Sequence, residues 1–177
     1  MRILEANLTD MTQRLESLQV SYDNATVVIR TLEANLTDVQ EEAWEKFSDG
    51  WKYFNGNYYY FPTDRKTWAD SRDACVTMGG HLVIIETQEE QYFLQEQKPD
   101  NYCWIGLTDS AKEGEWRWVD NTLLNNNITF WAGSQPDGND PLGQDCIGLW
   151  TFTNTGQLLW DDKYCGLEDI YICEASI

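Results

Sequence analysis

The sequence predicts an α+β domain carried behind a coiled-coil helix, and three observations predict it. Apolar residues recur at alternating spacings of four and three over the first 44 residues. From about Glu45 the composition shifts to aromatics, glycine and turn residues. Within that second part helical patterns lie early, and short strands with long polar loops follow Trp104. A chain of 177 residues with 42% apolar content holds one ordinary domain and an appendage. The expected boundaries are 1–44 for the neck and 46–177 for the domain.

The neck seam runs from Leu4 and Leu8 through Leu15, Leu18, Ile29 and Leu32 to Ala43, a sustained heptad without Pro or Gly. Leu4 to Asp10 returns verbatim as Leu32 to Asp38, four heptads on, as in a duplicated unit. One amphipathic helix packed on its own domain would need a longer partner surface than a small domain offers, so a homo-oligomer through the neck is expected. Tyr22 and Ala25 interrupt the Leu/Ile pattern and leave the number of strands open. Asn7, Asn24, Asn35 and Asn127 head N-x-S/T sequons, and glycans on the first three would flank the seam without filling it.

In the second part, Trp51 to Phe61 reads as two strands around an Asn55-Gly56 turn. Thr67 to Met78 reads as a helix ended by Gly79-Gly80, and Thr87 to Gln95 as a second helix with a Thr87 cap and Glu90 three residues on. A net charge of −18 without any Lys/Arg run excludes a nucleic-acid partner. Five cysteines without a C-x-x-C pair favour structural disulfides and an oxidising compartment over zinc or redox chemistry. No segment near Met1 is apolar enough for a signal peptide or a membrane span, so the chain is expected to begin inside a longer protein. His81 is the sole histidine and reads as structural; without a nucleophile paired to a base or a phosphate loop, no enzyme is expected.

The residues that carry chemistry lie late. Gln135-Pro136-Asp137, Gln144-Asp145-Cys146 and Trp160-Asp161-Asp162 supply carboxylate and amide oxygens with little structural reason to stand together. Calcium takes six to eight such oxygens, charged and neutral, and is the expected cofactor.

These runs, with W-x-x-F-x-G-x-x-Y-x-F at 51 to 61, Trp68, Cys75, His81-Leu82-Val83, Trp104-Ile105-Gly106-Leu107, Cys165 and Ile172-Cys173-Glu174, resemble the C-type lectin domain in order and spacing over roughly residues 46 to 177. With the heptad in front, the chain resembles the ectodomain of a type II membrane lectin receptor of the dendritic-cell or asialoglycoprotein-receptor kind, although soluble collectins also carry such necks. The resemblance implies a C-type lectin-like fold, with two helices, antiparallel sheets and a long calcium-binding loop, preceded by the coiled coil. It implies disulfides Cys75–Cys173 and Cys146–Cys165. Cys103 then reads as a buried thiol in the strand before Trp104, with an interchain disulfide as the alternative. Tyr58 stands where the extended form of the family begins an extra cysteine pair, so the short form is expected.

The resemblance also implies a primary calcium site of Gln135, Asp137, Gln144, Asp161 and Asp162, with a cis peptide before Pro136, and sugar bound directly to the ion. Gln144 replaces the usual Glu and Asp161 the usual Asn, so three formal negatives remain. Mannose-type members pair Glu with Asn around each bound hydroxyl; here Gln135 with Asp137, and Gln144 with Asp161, exchange donor for acceptor. Gln-Pro-Asp goes with galactose-type binding in the family, so glycans or glycoproteins bearing galactose or N-acetylgalactosamine are the expected partners. The loop Gly138 to Gly143 lacks the aromatic that galactose-binding members stack on the sugar. An auxiliary calcium site of Asp109, Glu113 and Asp145 is implied too, with Gly138 where an Asp or Asn ligand is usual. The nine tryptophans read as packing. A protein-binding receptor with a drifted calcium site, and an ice-binding derivative of the fold, are the alternative functions.

Overall fold

The computed structural model describes residues 2–47, 49–97, 102–138, 143–152 and 156–176; the 139–142 part of the loop after Gln-Pro-Asp lies outside them. The chain forms two compact units, Met1–Ser48 and Asp49–Ile177.

In the first unit, α1 (Arg2–Phe47) is one helix of 46 residues, about 70 Å long at the usual rise. Threonines within it return their hydroxyls to the carbonyl four residues back, as Thr12 does to Leu8 at 2.9 Å and Thr37 to Glu33 at 3.0 Å. Seam residues Leu8, Leu15, Leu18, Leu32 and Leu36 stand between 59% and 65% exposed. Asn7, Asn24 and Asn35 are exposed on the same helix, and Asn127 is exposed in the domain.

The domain opens with the hairpin β1 (Trp51–Phe54) and β2 (Asn57–Tyr60). Asn55 and Gly56 turn it with φ of 47° and 96°, the two positive values that a two-residue turn of matching twist requires. Helix α2 (Trp68–Thr77) is capped by the Thr67 hydroxyl, which accepts from the Asp70 N–H at 3.2 Å. It ends in a Schellman turn, with Gly80 N–H donating to the Cys75 carbonyl and Gly79 N–H to that of Val76, both at 3.0 Å. Helix α3 (Gln88–Glu96) has the expected Thr87 cap, its hydroxyl accepting from Glu90 N–H at 3.2 Å. The reciprocal bond differs from a capping box, because Glu90 accepts from Glu86 N–H at 3.0 Å and, at its other oxygen, from the Tyr59 hydroxyl at 2.6 Å. Tertiary pairing with Tyr59 has drawn the carboxylate into the core.

Two sheets frame the site. The last strand, β9 (Cys173–Ser176), lies between β2 and β3 (His81–Leu82), giving the order β1-β2-β9-β3. The second sheet runs β5 (Arg117–Trp118), β4 (Cys103–Thr108), β6 (Cys146–Phe152), β7 (Gln157–Lys163), with β8 (Ile170–Tyr171) parallel to β4. Trp104, Ile105, Leu107, Ile147, Leu149 and Trp160 are fully buried between them. Disulfides join Cys75 to Cys173 across 98 residues and Cys146 to Cys165 across 19. Chain-entropy reasoning assigns such links roughly 5 and 3 kcal/mol. Cys103 is a thiol 1% exposed in β4, and burial pushes its pKa up. His81 holds its Nδ1 at 2.9 Å from the Leu82 carbonyl in its own strand.

The two sheet-facing acids Glu90 and Glu174 are 7% and 5% exposed. Glu174 accepts from Asn57 at 2.6 Å, Ile84 N–H at 3.0 Å and Tyr59 at 3.3 Å. Desolvation, together with the nearby Glu90 charge, raises its pKa from the ordinary 4.5 to about 7, against the Ile84 hydrogen bond. The folded state therefore holds a proton that the unfolded chain releases: this contribution is present below pH 4.5 and is lost as pH rises through about 7. Its size is about 3 kcal/mol. In urea titrations with chelator present, the wild type should lose about that much more stability than Glu174→Gln between pH 4.5 and 8. Equal losses in the two proteins would mean that Glu174 is already ionised in the fold.

Candidate functional site

Strand parity sets the first half of the site. Along β7, Leu158, Trp160 and Asp162 share the buried face, while Leu159, Asp161 and Lys163 share the other. Asp162 thereby carries a carboxylate into the end of the core, where it is 1% exposed. It is compensated by the chain around the cis Gln135–Pro136 peptide: its Oδ2 accepts from Asp137 N–H at 3.2 Å and Gly138 N–H at 3.0 Å. Its carbonyl accepts from Gln144 Nε2 at 3.0 Å. Three of the predicted ligand positions, Asp137, Gln144 and Asp162, are thus fastened to one another.

Asp161 meets the fourth. Its carboxylate takes a hydrogen bond from the Gln135 amide, which lowers its pKa, but desolvation and the Asp162 charge prevail and hold it above the usual aspartate value. The exchange of donor and acceptor therefore pairs Gln135 with Asp161 across the loop and strand. The Asp161 carbonyl also receives a short hydrogen bond from the Tyr102 hydroxyl, which accepts in turn from Gly148 N–H at 3.2 Å. Gly148 has no room for a side chain, since a Cβ there would stand 1.9 Å from the Tyr102 ring.

A second acidic cluster adjoins this loop. Asp109, Glu113 and Asp145 each offer a carboxylate oxygen within 4.8 Å of the others. Asp109 is 2% exposed, and desolvation raises its pKa despite a 2.8 Å hydrogen bond from Gly114 N–H. The Asp145 carbonyl is fixed by Thr108 Oγ1 at 2.6 Å and Asp109 N–H at 3.1 Å. A Cβ on Gly138 would lie 3.7 Å from Glu113 Oε1, so the glycine does border this cluster.

Hydrogen bonding tests whether a hard cation suits these residues. Among the described residues only three buried side-chain polar atoms lack a partner: Ser71 Oγ, Asp109 Oδ1 and Gln135 Oε1. Two of the three lie in the two oxygen clusters. An oxygen buried without a donor is costly, and neutral and charged oxygens of this kind are what calcium accepts.

A pocket of about 650 Å³ opens beside the primary cluster, with Gln135, Asp161, Trp150, Tyr102, Lys163 and Arg65 in its lining. Sequence reasoning assigned the tryptophans to packing. This holds for Trp104, Trp160, Trp118 and Trp68, but Trp150 is 40% exposed. Its position follows from register, because Trp150 pairs with Leu159 and Gly148 with Asp161, which puts Trp150 on the Asp161 face. Alternation within the two strands carried that signal; the pairing itself did not show in one sequence.

Residues 64–175 match the family model described as the lectin C-type domain. Hepatic lectin of Gallus gallus is 36% identical over 162 residues, 84% of this chain and 75% of its own. The Homo sapiens C-type lectin domain family 4 member E is 42% identical over 125 residues, 70% of this chain and 56% of its own. Among solved structures, one titled as the trimeric structure of the Kupffer cell C-type lectin receptor Clec4f superposes with a TM-score of 0.70 at 35% identity, covering 82% of this chain and 95% of that one. These relatives are lectins and lectin receptors rather than enzymes. The chain belongs to the C-type lectin domain family.

Proposed function

We propose that the chain is a calcium-dependent lectin of galactose or N-acetylgalactosamine type, acting in glycan recognition at a cell surface or in innate defence. The observation that carries this reading is Gln135 Oε1, buried without a donor on a side chain whose amide is hydrogen-bonded to the Asp161 carboxylate. Gln135, Asp137, Gln144, Asp161 and Asp162 would hold the primary ion, and Asp109, Glu113 and Asp145 a second. Calcium supplies a hard cation on which two vicinal sugar hydroxyls complete the shell. The chain's own part is orientation: Gln135 and Gln144 amides donate to hydroxyl oxygens, while Asp137 and Asp161 accept hydroxyl protons. Galactose fits the inverted order of these pairs. The disulfides and exposed sequons support an extracellular place, as the ectodomain of a type II plasma-membrane protein or as a secreted lectin. Among the described residues no helix is long and apolar enough to cross a membrane.

One observation favours a second reading, a protein-binding receptor with a drifted calcium site. Gln144 already donates to the Asp162 carbonyl, engaging two groups of the ligand set with each other.

Calorimetric calcium titration separates the two, with affinity tighter than millimolar expected. Galactose should then compete for an immobilised galactosylated glycoprotein, mannose should not, and EDTA should abolish binding. Calcium affinity weaker than millimolar would favour the second reading, and mannose or fucose binding without galactose would overturn the specificity. Acid should release the ligand, beginning above the ordinary aspartate range of about pH 4, because Asp161 and Asp109 are both held upward by desolvation and must ionise to hold the metal.

We further propose that the exposed seam of α1 is covered by other copies of the chain, as the trimeric relative suggests. Light scattering should give an oligomer for the wild type and a monomer for Leu18→Lys with Leu32→Lys, with single-sugar affinity unchanged and avidity for a multivalent surface down by roughly 10²-fold or more.

A further inference from the structure

The pocket that Gln135 and Asp161 help to line contains features that the binding of a single sugar does not use. Its volume of about 650 Å³ falls in the range of whole ligand sites, about 300 to 1,000 Å³. One face is made by Trp150, 40% exposed and tilted against Tyr102 at 6.4 Å between ring centroids. An exposed indole on a pocket wall is suited to the apolar face of a pyranose ring, the contact that the loop after Gln-Pro-Asp lacks an aromatic to make.

The lining also carries two cations. Lys163 Nζ lies 2.7 Å from one oxygen of Asp169, and Arg65 Nη1 lies 3.1 Å from the other. Two cations share one carboxylate, which leaves a formal +1 on this group. Their exposures differ in a telling way: the Asp169 side chain is 9% exposed, Lys163 24% and Arg65 48%. The Asp169 charge is thus sunk beneath the two positive ones; Asp161 lines the pocket too, and with its carboxylate engaged by the proposed calcium ion the surface left to a ligand would be positive. Lys163 is also seated over the Tyr102 ring at 3.6 Å from its centroid, which holds the ammonium in the pocket wall. On a chain with a net charge of −18, such a patch attracts anions only locally.

We infer that this pocket is a second glycan subsite, in which Trp150 stacks the sugar next to the calcium-bound residue and Arg65 with Lys163 binds an anionic substituent on it. The inference rests on the lectin reading above, because Gln135 and Asp161 line both the pocket and the primary cluster. The anion is a sulfate ester or a sialic-acid carboxylate, and Arg65 offers the planar fork that suits either.

Calorimetry on the calcium-loaded full chain tests this with galactose, a neutral disaccharide ending in galactose, and the same disaccharide bearing either a sulfate or a sialic acid. At least one charged form should bind about tenfold more tightly than the neutral one, and which does so identifies the anion. The gain should shrink in 0.5 M salt, where screening is about 4 to 5 Å. Arg65→Gln should cut the gain to about threefold or less while galactose affinity stays constant. Trp150→Ala should lower affinity for the disaccharide relative to galactose. Asp169 retains Lys163 in the Arg65 variant, so the fold does not depend on the substitution. Charged and neutral disaccharides binding alike, with galactose bound, would overturn the subsite alone. Failure of galactose itself would overturn the lectin reading.

Discussion

A carboxylate that is 1% exposed has to be compensated where it stands, and at Asp162 the compensation comes from chain far away in sequence. Its oxygens take the N–H groups of Asp137 and Gly138, and its carbonyl takes the Gln144 amide. The long connection between β5 and β6 is thus fastened to the end of β7 on both arms. Leu124, Phe130 and Trp131 pack the first half of this connection on the core, and the polar anchorage to Asp162 holds the stretch that follows. The position of Gln135 beside Asp161 follows from that anchorage.

The same segment shows how two oxygen clusters are served by one short stretch. Gln144 turns to the primary group and Asp145 to the auxiliary one, as successive residues of extended chain do. Gly138 has φ of 56° and borders Glu113. That left-handed conformation favours glycine, with Asn and Asp the side chains that tolerate it best, so the backbone's preference is met here without an oxygen for the auxiliary cluster. The two clusters therefore differ in richness for a reason confined to one residue.

Local rules made much of the fold legible. The Asn55-Gly56 turn, the Thr67 and Thr87 caps and the Gly79-Gly80 stop each depend on a few adjacent residues, and the structure has them at those positions. The seam of α1 is likewise written in its spacing. Glu90 shows where local reasoning ends: the capping pattern predicts a bond to Thr87, but Tyr59, more than thirty positions away, competes for the carboxylate. Trp150 is the counterpart in the site. Its residue type suggested core, and only the pairing of β6 with β7 turns it toward Asp161. The residues proposed as ligands were picked out by motif, whereas the partnership of Gln135 with Asp161 required the loop to be folded over the strand.

Gly148 carries a consequence for how such a site can change. Any side chain there would collide with the Tyr102 ring, whose hydroxyl holds the Asp161 carbonyl and whose face seats Lys163. A larger residue at 148 would displace the ring, and with it both the backbone of Asp161 and the Lys163 charge in the neighbouring pocket. The shape of the loop and pocket is therefore open to drift from a position outside both, and a lineage that keeps Gln135, Asp137, Gln144, Asp161 and Asp162 unaltered can still reshape the surface they present.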